Sequence, residues 1–98
     1  MKTYTAQPYG CKVFLYTDAE TYYKKTEESV FGCAGMTTWL DGNLAMYVGD
    51  GDKATLVHEC THAVLYILEY VGIEPLSSNG EPMAYLMDNM YSAFAGEI

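Results

Sequence analysis

The chain contains no arginine. Its five basic side chains are all lysine, set against thirteen Asp plus Glu, for a formal net charge of −8. With no basic cluster, a nucleic-acid or anionic-membrane surface is excluded as an expectation, because an acidic chain repels phosphate backbones. Such a chain suits a cationic partner, a metal cation or plain solubility. Cysteine is scarce and odd in number. Cys11, Cys33 and Cys60 form no close pair and lay out no disulfide framework. The opening Met1-Lys2-Thr3-Tyr4 is polar and lacks the pattern of a signal peptide. The expected setting is therefore reduced and cytoplasmic. Long hydrophobic runs are missing too. The longest apolar stretch, Ala54 to Ile73, is interrupted by His58, Glu59, His62 and Glu69, each costly in a bilayer, so no membrane span is expected.

What is present is enough for one domain, residues 1–98. Half the residues are apolar, and ten tyrosines dominate the aromatic set. A chain of this size buries roughly 65% of its unfolded surface, so an independent core is feasible. The first eight residues carry no periodic pattern, and Pro8 and Gly10 punctuate them. Lys12 to Thr17 reads as a strand, and Thr17-Asp18 caps a short, mostly exposed helix from Ala19 to Glu28. Tyr22 and Tyr23 are expected to cover that strand. After the break at Gly32-Cys33-Ala34-Gly35, Met36 to Leu40 and Leu44 to Val48 form a hairpin around Asp41-Gly42-Asn43. Either a two-residue turn or a three-residue turn with a glycine bulge fits this spacing. Asp50-Gly51-Asp52 resembles the start of a calcium loop, but the remaining ligand positions do not follow, so it reads as a turn and helix cap.

From Lys53 to Val71 there is neither Pro nor Gly. Leu56, Cys60, Ala63, Val64, Ile67 and Val71 recur at spacings of three and four, which marks the buried stripe of a helix ended by Gly72. After a loop through Pro75 and Gly80, a last helix runs from Glu81 to Phe94, with Pro82 in its first turn. The expected fold is α+β, in the order strand, helix, hairpin, helix, helix.

On the long helix stands His58-Glu59-Cys60-Thr61-His62. Two histidines four apart lie nearly one above the other, so one metal ion can bridge their imidazoles. Glu59 lies about 100° round the helix from His58 and can reach a water without binding the metal. This is the His-Glu-x-x-His arrangement of zinc hydrolases, with the glutamate as general base. A catalytic zinc needs a third protein donor. Glu81 opens the final helix, which must pack antiparallel to the motif helix, with Ala84 offering a small surface for close approach. Glu69 is the rival. However, residues 58 to 69 span about 16 Å along one helix, which cannot easily direct all three at one ion, so Glu69 is the weaker candidate. Cys60 falls on the buried stripe and reads as a core thiol.

His58-Glu59-Cys60-Thr61-His62, preceded by a hairpin and followed by Glu81-Pro82-Met83-Ala84-Tyr85-Leu86, resembles a zincin of the type whose third ligand is a glutamate. More narrowly, it resembles the small zincin-like proteins encoded by bacteriophages and prophages, over roughly residues 35–92. The resemblance implies a minimal zincin-like domain with one Zn2+ held by His58, His62 and Glu81, and peptide-bond hydrolysis with Glu59 as base. Larger relatives often carry an aspartate four residues after the ligand glutamate, where it orients a ligand histidine. This chain has Tyr85 there, so either Asp88, one turn on, takes that role or the role is missing. Tyr85 is then a candidate for steadying an oxyanion, against the plainer reading that it packs. A peptide substrate would align on a strand edge, either Leu44 to Val48 or Met36 to Leu40. The competing reading is a zinc-stabilised, non-catalytic binding protein that captures a host factor in the host cytoplasm.

Overall fold

Asp52 starts the element on which the molecule is built. Its side chain accepts a hydrogen bond from the Ala54 N–H at 2.8 Å, and the helix then runs without a break from Lys53 to Val71. Gly72, in the left-handed conformation at φ 78°, closes it. In the computed structural model, which describes residues 1–98, this helix (α2) is joined by two others. These are α1 (Ala19–Thr26) and α3 (Glu81–Phe94), with strands β1 (Lys2–Ala6), β2 (Cys11–Tyr16), β3 (Gly35–Leu40) and β4 (Asn43–Val48). The fold is α+β with a four-stranded mixed sheet.

The strand order is β1-β2-β4-β3, with β2 and β4 parallel and the outer pairs antiparallel. Strand β1 was not anticipated. Its five residues alternate too weakly to stand out, and antiparallel pairing with β2 is what makes them a strand. The hairpin resolves to a two-residue turn. Leu40 pairs with Asn43, and Asp41 and Gly42 both have positive φ (50° and 79°), as a type I′ turn requires. The other expected elements stand where their patterns put them, to within two residues at their ends.

Two layers of helix enclose the sheet. One face carries Val13, Leu15, Leu44 and Met46 into a core shared with the α2 stripe (Leu56, Cys60, Ala63, Val64, Ile67) and with Leu86, Met90 and Phe94 of α3. The other face packs on α1 through Tyr16, Tyr22 and Tyr47. Of the two tyrosines expected to cover the strand, Tyr22 does so, with its ring fully buried, whereas Tyr23 is exposed. The Lys53 ammonium donates to the carbonyl of Ile98 at 3.3 Å, tying the end of the chain beyond α3 to the start of α2. Helices α2 and α3 are therefore antiparallel, as expected, although Ala84, expected at their close approach, is exposed. No helix is long and apolar enough to cross a membrane.

Candidate metal and catalytic site

The α2 stripe faces the core, so residues on the opposite side of the helix meet solvent. His58 and His62 are both exposed, and their Nε2 atoms stand 3.2 Å apart. Two donors about 2.0–2.1 Å from one tetrahedral zinc stand about 3.4 Å apart, so the pair already has the spacing that zinc asks of two imidazoles. The same distance serves as a hydrogen bond when one ring carries its proton on Nε2. The two rings meet edge to face at 77°, and His62 in turn stacks on Tyr66 at a centroid distance of 6.4 Å.

Glu59 is placed quite differently. It is the only charged residue buried in the molecule, at 4% exposure. An unpartnered buried carboxylate is costly. The partner here is Thr37 on β3, whose hydroxyl donates to Glu59 Oε1 at 2.7 Å and lies 3.3 Å from the Glu59 backbone carbonyl. Two residues earlier on the same strand face, Gly35 leaves room for the rest of the carboxyl group. A methyl at that position would lie 2.9 Å from Glu59 Cγ, 2.9 Å from its Oε2 and 2.9 Å from Thr55 Cγ2. Strand β3 thus seats the carboxylate with one hydroxyl and one absent side chain. Beside it opens a cavity of about 420 Å³, lined in part by Cys33, Gly35, Thr55, His58 and Glu59. Glu59 and His58 share this space.

The remaining expected residues are not brought into it. No three His, Cys, Asp or Glu side chains converge as a metal-binding group. Glu81 is exposed at the first turn of α3. Because α3 runs antiparallel to α2, that turn lies by the end of α2 remote from Lys53. His62 sits nine residues, or about 13 Å of helix, before that end. The two imidazoles therefore fit a zinc ion, but a third donor is not assembled with them. Glu69 is exposed on α2 and outside any such group as well. Tyr85 is 53% exposed, and its charge is felt by Tyr4 on β1, where burial first and Tyr85 second raise the Tyr4 pKa. Asp88 is exposed, and the histidines' hydrogen-bond partner is each other.

Of the two strands expected to align a peptide, Leu44–Val48 is excluded, because β4 is paired on both sides, by β2 and β3. Met36–Leu40 lies within β3, an outer strand whose far edge is free. Cys60 is fully buried, and desolvation pushes its thiol up to about 12, as befits a core residue. Asp50 and Asp52 are turn and cap. Asp50 accepts from the Thr55 hydroxyl at 2.7 Å and from the Asp52 N–H at 3.0 Å, and these bonds hold its carboxyl below the usual range.

Gly35, Thr37 and Cys33 are the site members that reading the sequence missed. Gly35 reads as part of a chain break, and Thr37 as an ordinary strand residue. The available signal was the period of two. In Gly35-Met36-Thr37-Thr38-Trp39, one face carries a glycine and a hydroxyl where an apolar strand would carry larger residues.

Against known proteins, the chain matches no family model, no curated protein and no solved structure.

Proposed function

We propose that the protein is a minimal zinc-dependent hydrolase of the zincin type, acting on peptide bonds, with Glu59 as general base. The observation that carries this reading is Glu59 itself. The one buried charged side chain is held by a hydroxyl at 2.7 Å, borders an open cavity and stands beside two imidazoles at metal spacing. In this proposal His58 and His62 hold the ion, and Glu81, which the fold leaves apart from them, would be the third donor only if the start of α3 moved up to the histidines. Bound zinc would supply Lewis acidity and a water acidified to a pKa of about 7. The chain's own contribution is positional. Thr37 occupies Oε1 of Glu59, leaving Oε2, on the Gly35 side, to accept a proton from water and return it to the leaving amine. The free edge of β3 is the surface along which an extended peptide would pair. The zincin-like core, kinship with phage-encoded proteins and a reducing cytoplasmic setting, which suits three free cysteines, belong to the same proposal.

A second reading is that a bound metal only steadies the fold and that the protein binds a host factor without cleaving it, since the free edge of β3 would serve capture of a peptide as well as its cleavage. Glu59→Gln separates the two. The enzyme keeps its zinc and loses cleavage of unfolded protein substrates, by roughly 10²-fold or more if general-base catalysis is removed. A binder loses nothing measurable.

A further inference from the structure

Further along α2 and β3, a second and separate cavity of about 300 Å³ is lined by Trp39, Tyr66, Glu69 and Tyr70. That is the lower end of the roughly 300–1,000 Å³ typical of ligand sites, the size for one side chain. Trp39 stands 6.0 Å from Tyr66 and 5.6 Å from Tyr70, its ring tilted at 39° and 48° to theirs. Trp39 is 40% exposed and Tyr70 69%, a large aromatic area to leave in water. Glu69 is unpaired, since the one ion pair of the chain is Lys24–Glu20 on α1.

We propose that this cavity is a subsite for the cationic side chain, lysine or arginine, of a peptide laid along the edge of β3. It rests on the reading of β3 as the strand that aligns substrate. Aromatic faces attract an ammonium or guanidinium within about 6 Å. Glu69 adds a carboxylate, and no lysine of the chain lines the cavity to compete. The net charge of −8 favours the approach of a basic peptide over an acidic one. Position bounds the register. Trp39 follows Thr37 by two residues on the same strand face, and same-face side chains of an extended peptide lie about 7 Å apart. The cationic residue therefore falls within two positions of the bond presented to Glu59.

Trp39 is the only tryptophan, so its fluorescence reports on this cavity alone. The test titrates the protein, in the presence of a chelator that prevents zinc-dependent cleavage, with blocked alanine pentapeptides whose central residue is lysine, arginine, norleucine or glutamate, with mass spectrometry verifying that each stays intact. The lysine or arginine peptide is expected to shift Trp39 emission saturably and to bind about tenfold tighter than the norleucine peptide. Glu69→Gln, at an exposed position, should remove most of that preference. Equal binding of norleucine, no effect of Glu69→Gln, or no saturable change up to millimolar peptide each overturns the proposal. Binding at equilibrium needs no bond cleavage. A protein that cleaves nothing yet prefers lysine retains the subsite and loses the hydrolase reading. A peptidase indifferent to the central residue does the reverse.

Discussion

The Thr37 hydroxyl, on an edge strand, donates to Oε1 of Glu59, on a helix twenty-two residues later, at 2.7 Å. Replacing Thr37 with valine keeps the shape and removes the donor, leaving a buried carboxylate short of a bond, at a cost of about 1–3 kcal/mol. Thr37→Val is expected to lower the chemical denaturation midpoint and to reduce kcat more than KM. Thr37→Ser should restore both. A Thr37→Val protein with unchanged kcat would show that the hydroxyl serves packing alone.

Gly35→Ala tests the other half of the seat. The backbone at Gly35 is not left-handed, so the methyl acts through contact with Glu59 and Thr55, not through strain of the main chain. Overpacking of this kind costs about 1–3 kcal/mol. The expected variant folds, retains zinc and has lost most of its hydrolytic activity. Zinc content and turnover on the same sample decide it.

Zinc per chain after dialysis, in wild type and in Glu81→Ala, tests the third donor. The proposal expects about one zinc in the wild type and a clear loss in the variant. Equal retention would place the ion on His58 and His62 without Glu81. A folded wild type that takes up no added zinc would sink the hydrolase reading.

Alkylation should distinguish the three thiols. Cys33 is exposed and lines the Glu59 cavity, while burial raises the pKa of both Cys11 and Cys60. Brief treatment of the native protein with iodoacetamide at pH 8 is expected to modify Cys33 alone, and the added group to obstruct the cavity and inhibit cleavage. Modification of all three at similar rates in the native protein would contradict this burial pattern.

Alkali should weaken the fold through the same thiols. Cys60 titrates near 9.0 when unfolded but is pushed up to about 12 by burial, so the unfolded chain loses its proton first. Stability is full below pH 9 and falls as pH rises from 9 towards 12. Between pH 9 and 10, below the ordinary tyrosine range, the cysteines carry this slope. Cys60→Ala should flatten it, with Cys11 leaving a remainder, as read from denaturation midpoints at several pH values.

Much of this architecture was legible in the sequence because single residues set its boundaries. Asp52 and Gly72 cap α2, Pro82 lies in the first turn of α3, and Asp41-Gly42 makes the hairpin turn. These are local effects that neighbouring residues announce. Strand β1 and the seat of Glu59 were not legible because both arise from pairing across the fold. Nothing near Thr37 in the chain indicates that a carboxylate will be buried against it. Glu81 shows the limit from the other side. Its place at the start of a helix was read correctly, but its distance from the histidines depends on how far α2 extends past His62 and how α3 turns back.

Strand β3 has one more consequence. Its sequence, Gly35-Met36-Thr37-Thr38-Trp39-Leu40, has no charge and no proline, the devices that usually guard a free sheet border. A border able to zip up with a peptide can zip up with its own twin. Two copies joined edge to edge would occupy both free edges at once. The protein would then act as its own competitive inhibitor, with specific activity falling as its concentration rises.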